Sequence, residues 1–277
     1  MTPLSVMLLS SLAMVLATLT GLWLLSLNRR DASIVDPFWG TGFVLVTWFT
    51  LAATPPAQSD ARSWLLASLT TIWGLRLSLY LLWRNWGHGE DKRYRAMREH
   101  HGSRFWWVSL LTVFLLQGVI LWVVSIPIQA AMVPASALTF FVATSGLPLD
   151  WLDLVGASLW CIGLFFEAVG DFQMARFQAD PANAGRVMNR GLWRYTRHPN
   201  YYGDFCVWWG LYLIAANGGA AWTIFSPLLM SFLLLKVSGV TLLEQTIVNR
   251  RPDYLEYQQR TNSFFPGPPK WLRSDEN

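Results

Sequence analysis

Long apolar runs separated by short polar segments dominate the pattern of this chain. Seven of these runs carry few or no charges, and each is long enough to cross a hydrocarbon core of roughly 30 Å as a helix. The pattern therefore predicts an all-α, polytopic membrane protein with a single membrane domain. The predicted spans are 4–27, 33–53, 63–83, 105–132, 149–170, 200–216 and 222–243, followed by a polar tail over 244–277.

The composition favours a membrane protein over a soluble one. Hydrophobic residues occupy 53% of the 277 positions and charged residues 14%, about half of the charged share in soluble domains. The first apolar run lacks a basic start and is longer than the core of a signal peptide, so it predicts a retained span. Two cysteines within apolar runs, Cys161 and Cys206, argue against a disulfide framework or a zinc ribbon.

Most basic residues lie on one side of the membrane in this predicted topology. Of the 21 Lys and Arg residues, 18 lie at 29–30, 84–104, 176–197 and 250–273, and seven spans place all four regions on the same side. The positive-inside rule assigns that side to the cytoplasm. We therefore expect the N-terminus outside and the C-terminus in the cytoplasm.

The segment from Gly191 to Asp204 joins basic, aromatic and amide side chains directly to an apolar span. Pro199 favours a helix start, because the first helical turn needs no N–H from that residue. Asn200 and Asp204 then lie one turn apart on one face. A phosphorylated or carboxylated cofactor at the helix N-terminus fits this arrangement, and a basic loop that binds lipid headgroups is the alternative. Further candidates in the segment are Arg194, Tyr195, Arg197, His198 and Tyr201.

Acidic residues near the ends of predicted spans are also functional candidates, because a charge is costly inside a bilayer. Glu167 and Asp171 lie four residues apart on one helical face at the end of the fifth span. We expect them to face the arginines of 176–197 and to accept hydrogen bonds from a cofactor. The alternative is a pair of solvated acids at a helix end. Glu244, at the end of the seventh span, is a further candidate.

Two residues of the second and third spans are candidates for substrate chemistry. Asp36 lies near the start of the second span and Tyr80 lies in the third, one turn from Arg76. We expect Asp36 and Tyr80 to polarise or protonate a lipophilic substrate that enters from the bilayer. The alternative is a buried Asp36–Arg76 ion pair that fixes the helix register.

Signatures of several other protein classes are missing. The chain has no GxGxxG after a strand and no GxxxxGK[ST], and it has no GxSxG or HExxH. His100 and His101 point to different helix faces, so we expect no metal site. We also expect no nucleic-acid partner. Any cofactor must bind between helices and cytoplasmic loops.

The motif Arg197-His-Pro-Asn-Tyr-Tyr-Gly203 resembles the Arg-His-Pro-x-Tyr-x-Gly signature of a membrane-enzyme superfamily. That superfamily includes steroid 5α-reductases, sterol C14-reductases, and isoprenylcysteine and phospholipid methyltransferases. The wider pattern resembles the bacterial steroid-5α-reductase-like family of unknown function, and the resemblance covers nearly the whole chain. The segments that carry it are Asp36–Gly40, Arg84–Tyr94, Glu244 and Arg250–Tyr254.

The resemblance implies a seven-span enzyme of the bacterial inner membrane that holds NADPH from the cytoplasmic side. In the reductases a tyrosine and a glutamate polarise the steroid ketone. The tyrosine position looks like Trp73 here, and the nearest acid is Asp36. Glu167 stands where the reductases have an asparagine. The cofactor residues that carry over are Glu167, Asp171, Arg186, Asn200 and Asp204.

These observations predict an NADPH-dependent reductase that transfers hydride to an activated C=C bond of a steroid-like or isoprenoid-like substrate. An S-adenosylmethionine-dependent methyltransferase acting on a lipid or prenylated thiol is the alternative, and a non-enzymatic membrane scaffold is a third possibility. The surplus of cytoplasmic arginine favours the reductase, since S-adenosylmethionine carries no phosphate. The residues expected to hold the cofactor are Glu167, Asp171, Arg176, Arg186, Arg194, Tyr195, Arg197, His198, Asn200, Tyr201, Asp204 and Glu244.

Overall fold

A computed structural model describes residues 3–56, 59–133, 148–237 and 253–270 of the protein. Every regular element in these residues is helical, which confirms the predicted all-α class. Six helical stretches of the described part are long and apolar enough to cross a membrane, which agrees with the predicted polytopic architecture. They are Pro3–Arg29, Ala32–Ala53, Ala61–Asn85, Lys92–Met132, Trp151–Ala179 and Pro199–Lys236.

Short π- and 3-10 helical segments lie between some of the α-helices. A π-helix over Leu110–Leu115 joins α5 to α6, and a short 3-10 helix over Gly191–Arg194 precedes α8. The α-helices are α1 (Pro3–Arg29), α2 (Val35–Ala53), α3 (Ala61–Asn85), α4 (Lys92–His101), α5 (Phe105–Ser109), α6 (Leu116–Met132), α7 (Trp151–Ala179), α8 (Pro199–Ala215), α9 (Phe225–Phe232) and α10 (Tyr254–Arg260).

The helix boundaries differ from the predicted spans at two places. The polar segment after the third span contains α4, whose N-terminus is capped because Asp91 Oδ1 accepts a 2.9 Å hydrogen bond from the Arg93 N–H. Helix α7 continues to Ala179 instead of ending at residue 170, since Gln, Met, Ala and Arg in this stretch favour a helix. It ends before Pro181, as the restriction on the residue preceding a proline requires.

The predicted sixth and seventh spans lie in one helical stretch, Pro199–Lys236, with a break inside it. Gly219 has φ 92°, a left-handed conformation that glycine adopts without strain. A straight helix of 38 residues would be about 57 Å long, well beyond a bilayer core. Residues 238–243 of the predicted seventh span lie outside the described residues.

The chain divides into two compact units. The first unit comprises the described residues up to Asp153 together with Leu211–Ser226. The second comprises Leu154–Gly210 and the described residues from Pro227 onward.

Glycine contacts hold α2 against α3 in the first unit. A Cβ added to Gly40 would lie 2.0 Å from the Gly74 carbonyl oxygen, so the two backbones touch there. The Thr41 N–H donates to Ser78 Oγ at 2.8 Å on the next turn. Small residues and polar links of this kind are typical of helix pairs in membranes.

The first unit buries several polar side chains in its core and exposes large apolar ones on its surface. Gln129 is fully buried and accepts a 2.6 Å hydrogen bond from Ser11 Oγ, which links α6 to α1. Leu79 and Trp83 of α3 are each 64% exposed. This distribution suits a protein surrounded by lipid, where polar groups need partners inside the protein.

Candidate functional site

A seam of glycines brings α7 and α8 together in the second unit. A Cβ added to Gly203 would lie 2.5 Å from both the Glu167 backbone nitrogen and the Gly163 carbonyl oxygen. Two turns on, a Cβ at Gly210 would lie 2.6 Å from the Gly156 carbonyl oxygen. Gly203 and Gly210 are seven residues apart, close to two helical turns, so both contacts lie on one face of α8. The seam therefore places Glu167 directly against the first turns of α8.

Three predicted cofactor residues meet at the start of α8. Asn200 Nδ2 donates to Asp171 Oδ1 at 3.2 Å, and the Tyr201 N–H donates to Asn200 Oδ1 at 3.1 Å. The side chains of Asp171 and Glu167 are buried, with 5% and 3% of their surface exposed. A buried carboxylate requires hydrogen-bond donors, and the Asn200 amide supplies one. We call Glu167, Asp171 and Asn200 the acid cluster.

His198 and Tyr201 form an aromatic pair beside this cluster. Their ring centroids lie 5.5 Å apart with an interplanar angle of 4°, so the rings are stacked. His198 is buried, whereas Tyr201 and Asp204, one turn further along α8, are half-buried. Helix α8 starts at Pro199, as predicted. Its first turns carry the Tyr201 ring and the Asp204 carboxylate.

Arg197 contacts the C-terminal segment. Its Nη1 donates to the carbonyl oxygens of Gln258 at 2.9 Å and Thr261 at 2.6 Å, and its N–H donates to the Asn262 carbonyl at 2.9 Å. The sequence predicts that Arg197 binds a cofactor anion, and that role stays a prediction. In the structure this guanidinium holds a segment that lies some sixty residues later in the chain.

A basic cavity lies on the polar side of α7 and α10. Its volume is about 690 Å³, which is within the range of small-molecule sites. Two carboxylates, Asp253 and Glu256, also line it. We call it the arginine cavity after the four guanidinium groups in its wall, which belong to Arg186, Arg190, Arg194 and Arg260.

The 3-10 segment that carries Arg194 is anchored on both sides. Gly191 adopts φ 58°, and an added Cβ would lie 2.5 Å from the Gln173 side chain of α7. Trp193 Nε1 donates to the Gly170 carbonyl at 3.0 Å, and its own carbonyl accepts from the Tyr257 hydroxyl of α10. Gly170 of α7 contacts both Trp193 and the first residues of α8. One stretch of α7 therefore supports both the acid cluster and the wall of the arginine cavity.

Other predicted cofactor residues lie elsewhere. Arg176 is exposed on α7 and does not line the arginine cavity. Tyr195 is 44% exposed, and its carbonyl accepts the Gly267 N–H at 3.1 Å. Glu244 lies outside the described residues. Of the predicted arginines, Arg186 and Arg194 are the ones that line the cavity.

In the first unit, Asp36 forms a hydrogen-bonded cluster with α4 and α6. Its Oδ1 accepts from the Tyr94 hydroxyl at 2.6 Å, and its Oδ2 accepts from Arg93 Nη2 at 2.8 Å. Gln117 Nε2 donates to the Tyr94 hydroxyl oxygen at 3.3 Å. The sequence suggested Arg76 as the alternative partner, but the ion pair is made by Arg93. We call Asp36, Arg93, Tyr94 and Gln117 the Asp36 cluster.

Tyr80 lies between two arginines of α3. The guanidinium carbons of Arg76 and Arg84 are 5.3 Å and 5.8 Å from the centroid of its ring, within the range of cation–π attraction. The phenol that is hydrogen-bonded to Asp36 belongs to Tyr94, and the substrate role of Tyr80 stays a prediction.

Sequence reasoning missed Tyr94, Arg190 and Arg260. A signal for Tyr94 was present, because Asp91 followed by strong helix formers predicts a capped helix in the polar segment. Arg190 lies midway between Arg186 and Arg194, at a constant spacing of four residues. Arg260 carried no such signal, since only the tertiary fold brings α10 to the cavity.

The polar loop histidines do not form a metal site in the described part of the chain, where no group of three or more His, Cys, Asp or Glu side chains can hold a metal ion. The rings of His100 and His101 pack edge to face, with centroids 4.8 Å apart.

Comparison with known proteins gives a family. A model of a protein family of unknown function, DUF1295, matches residues 22–261. The chain belongs to this family. The DUF1295 match includes both the Asp36 cluster and the arginines of the cavity. An uncharacterised protein of Schizosaccharomyces pombe is 27% identical over 274 residues, which cover 88% of this chain and 75% of the relative. No solved structure matches.

Proposed function

We propose that this DUF1295 protein is an NADPH-dependent membrane reductase that acts on an activated C=C bond of a lipophilic, steroid-like or isoprenoid-like substrate. The arginine cavity is the observation that carries the proposal. The resemblance of Arg197–Gly203 to the signature shared by steroid 5α-reductases adds support from the sequence.

The chemistry of the cavity fits a dinucleotide with an extra phosphate. NADPH carries a pyrophosphate and a 2′-phosphate, and guanidinium groups bind phosphate with paired, charge-assisted hydrogen bonds. Four arginines line the cavity. Arg260 Nε lies 3.1 Å from Glu256 Oε1, and the other three are exposed, enough to serve both phosphate positions. Asp253 and Glu256 in the same wall can accept hydrogen bonds from ribose hydroxyls. The acid cluster offers an amide and two carboxylates for the amide end of a nicotinamide.

Reduction of a C=C bond needs a hydride and a proton. Bound NADPH supplies the hydride. For the proton we assign the Asp36 cluster, in which the Tyr94 hydroxyl and the Asp36 carboxylate hold a proton between oxygens 2.6 Å apart. Tyr94 joins Asp36 and Tyr80 as a candidate for this step, because its hydroxyl is bonded to Asp36. Apolar walls around the spans would keep water from the hydride.

The proposal requires the arginine cavity to face the cytoplasm, where NADPH is available. The one-sided distribution of Lys and Arg residues supports this orientation, with the N-terminus on the opposite side. We therefore propose the inner membrane of a bacterium as the location.

An S-adenosylmethionine-dependent methyltransferase is the second candidate. Asp253 and Glu256 favour it, since their carboxylates can bind the ammonium group of the methionine part. S-adenosylmethionine has no phosphate, however, so it supplies no anion to match the excess of four arginines over two carboxylates in the cavity wall. NADPH would therefore place negatively charged phosphates against these arginines, which S-adenosylmethionine would not.

Ligand binding to the purified protein tests the proposal. NADPH, NADH and S-adenosylmethionine are titrated separately, and affinity is measured by the thermal shift and by isothermal calorimetry. We expect NADPH to bind at least about tenfold tighter than NADH, a difference of about 1.4 kcal/mol. Equal affinity for the two nucleotides would remove the role of the 2′-phosphate. Binding of S-adenosylmethionine without binding of NADPH would establish the methyltransferase instead.

A further inference from the structure

A second basic pocket lies at the other side of the C-terminal segment. Its volume is about 420 Å³, and it is lined by Arg197, Lys270 and the residues from Thr261 to Phe265. No carboxylate is among the described residues that line it, in contrast to the arginine cavity. We call it the tail pocket. Its lining combines two cations with two phenylalanine rings, which is the composition expected for an anionic amphiphile.

Backbone hydrogen bonds fix the walls of the tail pocket. Thr196 Oγ1 donates to the Phe264 carbonyl at 2.7 Å, and the Lys270 N–H donates to the Arg260 carbonyl at 2.7 Å. Together with the bonds of Arg197 to the same segment, these contacts tie the pocket to the residues just before α8. The backbone around the pocket is therefore fixed at Thr196, Arg197, Phe264 and Lys270.

An aromatic stripe runs from this pocket along α8. Phe265 contacts Tyr202 and Phe205, with ring centroids 6.2 Å and 5.8 Å apart. Phe205 in turn contacts Trp209, with centroids 6.0 Å apart. Residues 202, 205 and 209 share one helix face. The stripe extends over seven residues of α8, a rise of about 10 Å.

The stripe begins at the end of a membrane span. Helix α8 starts at Pro199 within the apolar stretch Pro199–Lys236, so the tail pocket lies at the level where the span leaves the bilayer. Phe265 is 62% exposed at this level. Aromatic rings and cationic side chains at a membrane interface are the groups that contact lipid headgroups and the adjoining parts of acyl chains.

We propose that the tail pocket and the aromatic stripe bind an anionic phospholipid of the membrane. The phosphate lies against Lys270 and Arg197, and one acyl chain follows the rings of Phe265, Phe205 and Trp209. A nucleotide fits less well, because the stripe is mainly aromatic surface and has no charged group for a second phosphate, and the Trp209 N–H already donates to Ser231 Oγ at 3.1 Å. This lipid site goes beyond the proposed reductase activity and does not depend on it.

The test compares two matched double variants in lipid nanodiscs. The pocket variant is Phe265→Ser with Lys270→Gln, and the control is Phe172→Ser with Lys92→Gln. Phe172 of α7 is also 62% exposed, and Lys92 is an exposed lysine outside the pocket. Arg197 is left unchanged because it holds the C-terminal segment. Bound phosphatidylglycerol and phosphatidylcholine are counted by native mass spectrometry after release from the nanodisc.

We expect wild type and the control variant to retain phosphatidylglycerol in preference to phosphatidylcholine, and the pocket variant to retain at least about fivefold less of it, or about 1 kcal/mol. Equal retention by the pocket and control variants overturns the proposal. Displacement of the lipid by inorganic phosphate alone also overturns it, since the site would then bind a free anion. NADPH affinity is measured on the same samples, so a failure of the reductase proposal is seen separately.

Discussion

Arginines serve opposite purposes in two regions of this molecule. In the first unit, Arg62 is 2% exposed, and its Nε and Nη2 donate to the two carboxylate oxygens of Asp153 at 2.9 Å and 2.8 Å. In the second unit, Arg186, Arg190 and Arg194 expose their side chains at the rim of a cavity of about 690 Å³. The first arrangement fixes helices, whereas the second leaves cationic side chains exposed around an open cavity.

The difference shows that burial decides whether an arginine forms a structural ion pair or remains able to bind an anion from solution. A buried pair offsets the cost of dehydrating both charges only through close, well-aligned contacts. Asp153 has such contacts, because the Asp150 N–H and Asn217 Nδ2 also donate to it at 3.0 Å and 2.9 Å. An exposed arginine incurs little of that cost, so its attraction for a phosphate remains available for binding.

The largest expected effect is the loss of Arg62. Arg62→Met leaves the Asp153 carboxylate buried without its cationic partner, and removal of one partner of such a pair typically costs about 3–5 kcal/mol. We expect a sharp fall in the unfolding temperature of the purified protein. The control is Arg104→Met, at an exposed arginine, which should change stability by less than about 0.5 kcal/mol.

Replacement of both partners sharpens this result. Arg62→Met combined with Asp153→Leu removes both charges, and apolar replacement of a buried pair is often close to neutral. The double variant should therefore be more stable than Arg62→Met alone. If Arg62→Met were as stable as Arg104→Met, the ion pair would not hold these helices.

An intermediate effect is expected for the arginine cavity. Arg190→Ala and Arg194→Ala should each weaken NADPH binding by about tenfold, or about 1.4 kcal/mol, because each removes a cation near a phosphate. The unfolding temperature without ligand should stay nearly constant, since both side chains are exposed. Arg176→Ala is the matched control, because this exposed arginine does not line the cavity. An equal loss of affinity in the control would mean that general charge, and not the cavity, attracts the nucleotide.

The sequence was sufficient for those features that depend on local pattern. The apolar runs predicted the helices, and Pro199 predicted the start of α8. The basic run before Pro199 made Arg194 a candidate, and this residue lines the cavity. Each of these follows from periodicity, helix geometry or charge within one segment.

Features that depend on distant segments could not be predicted in the same way. The position of Arg197 before a helix did not predict that its Nη1 also donates to the carbonyls of Gln258 and Thr261. Asp36 binds Arg93 and Tyr94, 57 and 58 residues later. Tertiary packing decides which arginine and which tyrosine bind Asp36. A single sequence contains no periodicity or motif that predicts such a long-range contact.

The ion pair of Glu90 and Arg98 is intermediate in burial between the Arg62–Asp153 pair and the exposed cavity arginines. Its side chain is 9% exposed and that of its partner Arg98 is 36% exposed, with Arg98 Nη2 2.7 Å from Glu90 Oε1. Glu90 Oε1 also accepts the Ala32 N–H at 2.9 Å, before the start of α2. Burial alone would raise the pKa of Glu90, but the hydrogen bonds from Arg98 and Ala32 and the charges of Arg98 and Arg95 lower it below its ordinary value.

The smallest expected effect is therefore a pH-dependent one. A carboxylate whose pKa is lower in the folded state contributes stability above its unfolded pKa of about 4.3, and this contribution is lost as the pH falls through the folded pKa. At pH 7, Glu90→Gln should cost about 1 kcal/mol, measured as the difference in unfolding temperature from wild type. That difference should shrink as the pH is lowered below the unfolded pKa, because wild type then loses the same charge. Glu99→Gln, at an exposed acid of α4, serves as the control. A difference between wild type and Glu90→Gln that stayed constant down to the lowest pH would show that shape, and not charge, makes Glu90 stabilising.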